Sequence, residues 1–281
     1  MAKITVKQLV DEYYKSSDYS MLAYKTKVDY SNCLDRMLNT KVNKNFICTT
    51  KADKLTGAMA RQSYEVWLKH GIYMANHIVA SSRKVYSFGM EMGYVEYNPF
   101  STFKCKVNKP RKVVWTRDQI TTLLDFCYSD FKYRSIGLIV QMSYEWCQRV
   151  GDMRLLKFEN IDFNNKVLNL EQSKRGASVS LPISDNLFEM LQEQKRDYDF
   201  QEYVAPVPKA IRSSYNPYTL HRLSIVARKA IKLCGLPDEL RIADLRRTGT
   251  TEMVEAGVSM GQIMSVTGHA NPQSVKPYMK N

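Results

Sequence analysis

The sequence predicts a mainly α-helical protein with two domains, the second of which also contains a small β-hairpin and is therefore α+β. Three observations predict this architecture. Apolar residues recur at every third or fourth position along most of the 281 residues, which is typical of amphipathic helices. This periodicity is interrupted between residues 93 and 115 by a Gly, an Asn-Pro pair and a run of basic residues. Two short segments of the second half have the apolar pattern of strands instead.

The first domain, over residues 1–103, is predicted to be helical throughout. Thr5 and Gln8 have the spacing of a capping box, in which each side chain satisfies the backbone amide of the other at a helix N-terminus. Gly93 is the predicted stop of the last helix, because glycine adopts the left-handed conformation at little cost. The predicted helices of this domain span residues 5–14, 22–38, 54–70 and 72–92.

A basic linker is predicted over residues 104–113. The segment KCKVNKPRK carries five positive charges and no negative one, and it includes Pro110. Contact with phosphates and an ordinary solvated tether explain this composition equally well. The side chains expected to meet a polyanion are Lys104, Lys106, Lys109, Arg111 and Lys112.

The second domain, over residues 114–281, begins with another capping box, formed by Thr116 and Gln119. Residues 135–147 are apolar on nearly all sides and predict a buried central helix that Arg149 ends. Two strands, 167–170 and 177–183, are predicted around SKRG, with Gly176 in the turn. Further helices are predicted over residues 185–198, 218–234 and 243–256, and a last one is capped by Ser259 and stopped by Gly268.

The charge distribution suggests a polyanionic partner. The net charge is +13. Residues 1–112 hold 19 Lys and Arg against 9 Asp and Glu, a net of +10, whereas residues 113–281 hold 22 against 19, a net of +3. A generic soluble surface remains the alternative explanation of the charge alone.

Other classes of protein are disfavoured. The six cysteines are scattered without a CxxC pair, and the four histidines stand at no metal-ligand spacing, so we expect reduced thiols and no structural zinc. No apolar run has membrane-spanning length, and the N-terminus lacks a secretory signal pattern. We therefore expect a soluble, cytoplasmic protein without a membrane partner.

Candidate site residues lie in four segments of the second domain. Arg149 follows the buried helix, and Asp152 stands three residues later, where it could hold the guanidinium. The other candidates are Lys174 in QSKRG, Arg246 in ADLRRTG, and His269 and Tyr278 in GHANPQSVKPY. Each of them alone has an ordinary structural explanation, and only the set as a whole indicates a functional site.

Together, these segments resemble the tyrosine recombinases, the phage integrase family, whose members carry Arg, Lys, His-x-x-Arg, His or Trp, and Tyr in this order. TGHANPQSVKPY resembles the family's Gly-His segment with its tyrosine nine residues after the histidine. YEWCQRVGDMRLLKFENIDF resembles the first arginine region, and SKRGASVSLPI resembles the lysine hairpin. MEMGYVEYNPF resembles the end of the helical DNA-clamping domain. The resemblance covers essentially the whole chain and implies a C-shaped clamp around duplex DNA, made by a SAM-like core-DNA-binding domain and a catalytic domain.

The resemblance also implies a reaction. Arg149 and Arg246 would donate to the nonbridging oxygens of a scissile phosphate, and Lys174 would protonate the leaving 5′-oxygen. His269 would bond the phosphate, and Tyr278 would attack phosphorus to form a 3′-phosphotyrosine. The expected enzyme is a phage or mobile-element integrase that acts as a homotetramer on two DNA sites, without a metal or other cofactor. A directionality factor and a host DNA-bending protein are the further partners implied.

The sequence departs from the family pattern in three places. Ala243 stands where the family usually has the histidine of His-x-x-Arg, and a water or His221 could fill that place. Pro277 makes one regular helix through Tyr278 improbable, so we expect a short helix or turn that breaks near Lys276. Only three residues follow Tyr278, whereas many relatives have a longer tail that docks on a neighbour, so either subunits join differently or the chain is shortened. Since integrases that bind separate arm sites usually have an extra N-terminal module and none is evident in this sequence, we expect simple core-site binding.

Alternative functions share the same fold. A non-catalytic DNA-binding relative is favoured by Ala243 and disfavoured by the presence of all five other candidates. A Xer-like chromosome resolvase is disfavoured by the short tail, and a topoisomerase would need no paired sites.

Overall fold

The computed structural model describes residues 4–42, 44–109, 111–173, 176–210 and 214–278. The chain divides into two compact units, Met1–Arg111 and Lys112–Asn281. Each unit buries its own hydrophobic core. As predicted, both units are mainly helical, and the sheets are small and antiparallel.

The first unit is built around helices whose apolar faces meet in an aromatic core. Tyr13, Tyr64 and Trp67 are almost completely buried in it. The Trp67 indole Nε1 donates to the Thr40 hydroxyl at 2.8 Å, so the buried polar edge of the ring is satisfied. The helices described here are α1 (Val6–Lys15), α2 (Ser17–Ser20), α3 (Tyr24–Leu38), α4 (Gly57–Leu68) and α5 (Ile72–Glu91), and a short hairpin is formed by β1 (Lys41–Val42) and β2 (Asn45–Phe46).

The predicted linker is attached to the first unit at its beginning. The backbone N–H of Lys106 donates to the Tyr64 hydroxyl at 2.7 Å, and the Lys106 carbonyl accepts from the Asn76 amide at 2.8 Å. Arg83 donates to the carbonyls of Phe100 and Phe103 just before it. Residues up to Lys106 therefore follow the surface of the helical unit and do not act as a free tether.

The second unit combines helices with a three-stranded antiparallel sheet in the order β3 (Ile161–Asp162), β4 (Val167–Glu171) and β5 (Ser178–Pro182). Leu170 pairs with Val179 and Leu168 pairs with Leu181, so one face of the hairpin is apolar and buried. The helices described in this unit are α6 (Arg117–Ser129), α7 (Phe131–Glu145), α8 (Val150–Met153), α9 (Asp185–Tyr198), α10 (Leu220–Leu233), α11 (Leu245–Glu255) and α12 (Met260–Thr267).

The central helix differs from its prediction. α7 starts at Phe131, four residues before the predicted start, and it ends at Glu145, so the prediction that Arg149 ends this helix was wrong. Cys147 has a left-handed backbone with φ 51°, which terminates the helix. Arg149 instead forms the N-cap of the separate short helix α8. The chain therefore changes direction between the buried helix and the arginine.

Helix α11 packs closely against the end of α7. A Cβ added to Gly249 would lie 2.6 Å from both the Tyr144 carbonyl oxygen and the Cys147 Sγ, so only glycine permits this approach. The start of the unit is bonded to the same helix, because the Trp115 backbone N–H donates to Thr248 Oγ1 at 3.0 Å. These contacts place Arg246, on the first turn of α11, near the segment that carries Arg149. Within the described ranges, no helix is both long and apolar enough to cross a membrane.

Candidate active site

Arg149 projects from the N-cap of α8 and is held by a neutral acceptor. Its Nη1 donates to the Gln172 Oε1 at 2.8 Å and lies 3.8 Å from the Asp152 Oδ2. The Arg149 side chain is 26% exposed, and that of Asp152 is 3% exposed. The expected pairing with Asp152 is thus present as an ion pair, but the closer partner is the amide of Gln172.

Arg246 is largely enclosed by the fold, with 8% of its surface exposed. Its Nη2 donates to the Thr267 carbonyl at 2.7 Å and lies 2.9 Å from the His269 Nε2. Its Nη1 is buried and makes no hydrogen bond to the residues that the structure describes. Burial, and then the positive charge of Arg149, lower the pKa of Arg246 to about 10. The two guanidiniums therefore act on one another and leave a donor available for an anion.

His269 is positioned by the end of α12. Gly268 ends this helix in the left-handed conformation, and the His269 ring then lies between the Thr267 Oγ1, 2.7 Å from Nδ1, and Arg246. The Thr267 hydroxyl donates its proton to the Ile263 carbonyl, so it accepts from Nδ1–H. The Nε2 then carries the lone pair and accepts from Arg246. The hydrogen-bond network thus assigns the tautomer of this ring.

Tyr278 lies beside this group. Its ring centroid is 6.2 Å from that of His269, and the Arg247 guanidinium lies 5.0 Å from the Tyr278 ring centroid, within cation–π range. As expected from Pro277, no regular helix runs through the tyrosine. Two 3-10 turns, Pro272–Ser274 and Lys276–Tyr278, are separated by Val275, which is completely buried. Val275 thus anchors the segment that presents Tyr278.

Lys174 lies outside the described residues. The residue before it is described: the Ser173 hydroxyl donates to the Asp152 Oδ1. The hairpin is therefore bonded to the α8 segment immediately before the position of Lys174. This contact joins Ser173 to the first arginine region.

The remaining candidate positions are exposed. Ala243 lies in the 3-10 turn Ile242–Asp244, one turn before Arg246, and His221 lies in the first turn of α10. The linker side chains of Lys104, Lys109 and Lys112 are also exposed, and Lys106 lies 3.9 Å from the Glu65 carboxylate. Arg111 is exposed as well.

Sequence reasoning missed the amides and the hydroxyl that organise the site. Gln148, Gln172 and Thr267 are completely buried, and they bond one another or the arginines. Arg247, which follows Arg246 in ADLRRTG and contacts the Tyr278 ring, was also missed. A weak signal was present, because Gln172 lies in the QSKRG segment that had already been singled out.

Comparison with known proteins identifies the family. The model of the phage integrase family matches residues 114–281, which is more than half of the chain. The chain therefore belongs to the phage integrase family, the tyrosine recombinases, which are a class of enzymes.

Individual relatives are distant. The tyrosine recombinase XerA of Pyrococcus horikoshii is 29% identical over 145 residues, which cover 51% of this chain and 49% of that protein, so the match spans about half of this curated relative. A structure of lambda integrase residues 75–356, solved as a dimer bound to a COC′ core site, has a TM-score of 0.80 at 18% identity and covers 99% of this chain and 96% of that one. A lambda integrase tetramer bound to a Holliday junction also has a TM-score of 0.80, at 16% identity, covering 99% of this chain and 78% of that one. The likeness to the solved structures shows the fold.

Proposed function

We propose that the protein is a site-specific DNA recombinase that integrates and excises a phage or mobile element through a 3′-phosphotyrosine intermediate. The observation that carries the proposal is the position of the Tyr278 ring beside His269 and the buried Arg246, whose Nη1 has no hydrogen-bond partner among the described residues. A nucleophile candidate, a neutral imidazole and an anion site thus share one location. Membership of the tyrosine recombinases supports the same chemistry.

The arginines are proposed to stabilise the charge that develops at phosphorus. Arg246 and Arg149 would donate to the nonbridging oxygens of the phosphodiester, which gains negative charge in the pentavalent transition state. A buried guanidinium acts strongly here because little water screens it. Binding the phosphate would also remove the repulsion between the two arginines. His269 would donate to the same phosphate from Nε2, which requires this nitrogen to bind a proton and to release its bond with Arg246.

The covalent step moves the phosphoryl group without an external energy source. The Tyr278 oxygen forms a bond to phosphorus as the bond from phosphorus to the 5′-oxygen breaks. The phenolic proton leaves to water, since Ala243 provides no base, and Lys174 is proposed to give a proton to the 5′-oxygen. Attack by the 5′-hydroxyl of the partner strand then releases Tyr278 and restores the phosphodiester.

The whole chain is proposed to clamp DNA. Residues 1–103 would supply most phosphate contacts and residues 114–281 the chemistry, with the basic linker 104–113 along the backbone of the DNA. The +10 charge of residues 1–112 supports this division. A homotetramer on two sites is proposed because a tetramer of lambda integrase on a Holliday junction shares the fold. A cytoplasmic location is proposed because the proposed reaction takes place on DNA.

The test is covalent capture on DNA. The protein is incubated, with EDTA present, with a library of nicked suicide duplexes drawn from DNA that flanks the gene. A protein–DNA adduct should form with the wild type and with Tyr215→Phe, which removes a hydroxyl from an aromatic cluster away from the site. The adduct should be absent with Tyr278→Phe. An adduct that persists in Tyr278→Phe would exclude this residue as the nucleophile.

A non-catalytic DNA-binding role is the second candidate, and Ala243 is the observation that favours it. Because alanine can neither bond phosphate nor move a proton, and because proton transfer commonly contributes on the order of 10²–10⁴ in rate, Ala243→His should accelerate cleavage by at least about tenfold. Single-turnover adduct formation measures this. A variant no faster than the wild type would show that Ala243 causes no deficit. Tight binding of the wild type to DNA without any adduct would support the non-catalytic role.

A further inference from the structure

We propose that Gln172 is a positioning residue that sets the place of the Arg149 guanidinium relative to Arg246 and thereby shapes the phosphate site. The inference rests on the proposed function, in which these two arginines bind the scissile phosphate. It concerns a buried amide that touches no DNA in the proposed reaction and acts through the arginine.

The amide of Gln172 has a single allowed orientation. Its Oε1 accepts from the Arg149 Nη1 at 2.8 Å, and its Nε2 donates to the Gln148 Oε1 at 2.6 Å and to the Thr267 carbonyl at 2.8 Å. Rotating the amide by 180° would place its oxygen against two acceptors and its nitrogen against a donor. Gln148 is itself held, since its Nε2 donates to the carbonyls of Trp146 and Val266. The side chain is completely buried, so water offers no substitute partners.

One carbonyl oxygen links this amide to the second arginine. The Thr267 carbonyl accepts from the Gln172 Nε2 at 2.8 Å and from the Arg246 Nη2 at 2.7 Å. Gln172 therefore contacts Arg149 at one end and shares an acceptor with Arg246 at the other. The separation of the two guanidiniums is set by this chain of bonds.

Neutral acceptors suit an anion site better than carboxylates. The positive charge of Arg149 contributes to the lowered pKa of Arg246, so the arginines repel one another in the free protein. An amide oxygen can orient a guanidinium without neutralising it, whereas a carboxylate in the same place would compete with phosphate for the charge. The closest carboxylate to Arg149, that of Asp152, lies 3.8 Å away and also accepts from Ser173.

The chain contains a matched control in Gln194. This amide is also completely buried, its Oε1 accepts from the Arg134 Nε at 2.8 Å, and its Nε2 donates to the Val204 carbonyl at 2.8 Å. Arg134 pairs with Glu193 and Asp197 near the N-terminal end of α7, whereas Arg149 follows the C-terminal end. Gln194→Met thus removes the same kind of bonds away from the site.

The first measurement compares cleavage of two suicide duplexes by Gln172→Met and Gln194→Met. One duplex has a normal scissile phosphate, and the other has a neutral methylphosphonate, which reduces the demand for guanidinium charge. Gln172→Met should slow cleavage of the normal phosphate by about 10- to 100-fold and affect the methylphosphonate much less, because a misplacement of about 1 Å can cost about 100-fold. Gln194→Met should leave the ratio of the two rates unchanged. Equal slowing of both substrates by Gln172→Met would overturn the proposal.

The second measurement needs no cleavage. Inorganic phosphate should raise the Tm of the wild type and of Gln194→Met above that in chloride at equal ionic strength, and this increment should be lost in Gln172→Met. If Gln172→Met does not fold, Gln172→Asn replaces it, since its amide is too short to reach both Arg149 and Thr267. An unchanged phosphate increment in either Gln172 variant overturns the inference. If the wild type forms no adduct, but phosphate raises its Tm and does not raise that of Gln172→Met, the recombinase proposal is refuted and the role of Gln172 stands. If the wild type forms no adduct and phosphate does not raise its Tm, both proposals are refuted.

Discussion

Arg246 is a cation that the folded protein partly isolates from water, close to a second guanidinium. Its two hydrogen-bond partners, the Thr267 carbonyl and the His269 ring, are able to orient it without neutralising its charge. Burial and the charge of Arg149 lower its pKa from the ordinary value of an arginine to about 10. The free protein therefore carries a local electrostatic cost, which a bound phosphate would relieve.

The lowered pKa of Arg246 predicts that the folded protein gains stability as the solution becomes alkaline. Because the pKa is lower in the folded than in the unfolded state, the unfolded chain binds more protons once the pH exceeds about 10. Folding therefore becomes more favourable as the pH rises from about 10 toward the higher pKa of the unfolded chain. The free energy of unfolding of the wild type should gain about 1 kcal/mol relative to Arg246→Met between pH values of about 9.5 and 11. Chemical denaturation at the two pH values measures this difference. A difference independent of pH would contradict the lowered pKa of Arg246.

At the scale of elements, the site depends on where helices stop. Helix α12 ends at Gly268 in the left-handed conformation, and this places His269 against Arg246. A Cβ added to Gly268 would lie 2.5 Å from the Gln172 Nε2. A side chain at position 268 would therefore displace the buried amide of Gln172.

Two glycine substitutions separate the backbone effect from this contact. Gly268 and Gly257 have φ values of 66° and 75°, but a Cβ on Gly257 would meet nothing within 4 Å. Both alanine variants should lose about 1–2 kcal/mol for the left-handed backbone. Gly268→Ala should lose about 1–3 kcal/mol more, because it displaces Gln172. If Gly268→Ala and Gly257→Ala lose the same free energy of unfolding in urea, the Gln172 side chain moves away from the added methyl group without cost.

The segment that carries Tyr278 is held by few interactions. The Tyr278 backbone N–H donates to the Val275 carbonyl at 2.9 Å, and Val275 is the buried anchor of two short turns. We expect the amides of Lys276 and Tyr278 to exchange rapidly in the free protein and more slowly on cognate DNA, with α12 as the protected internal reference. Pro277, between them, has no amide proton. Hydrogen exchange measured by mass spectrometry tests this. Strong protection of the Lys276 and Tyr278 amides without DNA would contradict a mobile nucleophile segment.

At the scale of the whole molecule, positive charge is concentrated in the unit without the candidate nucleophile. The net charge is +10 over residues 1–112 and +3 over residues 113–281. Exposed lysines continue along the linker at Lys104, Lys109 and Lys112. Because released counterions make binding to DNA dependent on salt, each phosphate contact contributes to the steepness of that dependence.

Removing the linker charges should therefore change the salt dependence of DNA binding. Replacing Lys104, Lys109 and Lys112 with Gln should reduce the slope of log K against log salt by up to about 3, at about 0.9 for each lost phosphate contact. The matched control replaces three basic residues at the end of α7 that lies away from Arg149. Lys132 is near the N-terminus of α7, and Lys195 and Arg196 are near the C-terminus of α9. Fluorescence anisotropy over a salt series measures both slopes. Equal slopes in the two triple variants would favour the solvated-tether explanation of the linker.

Local signals made most helices predictable. The capping boxes at Thr5, Thr116 and Ser259 are formed, and the predicted helix 185–198 has the observed bounds. A capping residue and the periodicity of one face act within a few residues, so their effect is visible in the sequence. The hairpin β1–β2 was missed, because its strands have two residues each and offer no period to detect.

The sequence by itself determined the mainly helical fold and the order of the candidate residues, since both depend on neighbours along the chain. Only the tertiary structure decided how Arg149 is held. Its acceptor, Gln172, is 23 residues away, and the carbonyl shared with Arg246 belongs to Thr267, a further 95 residues along the chain. The left-handed Cys147 and the close packing of Gly249 direct the chain toward these partners. Buried amides satisfy whatever polar group the fold brings near, so their partners follow from packing and have no signature in the local sequence.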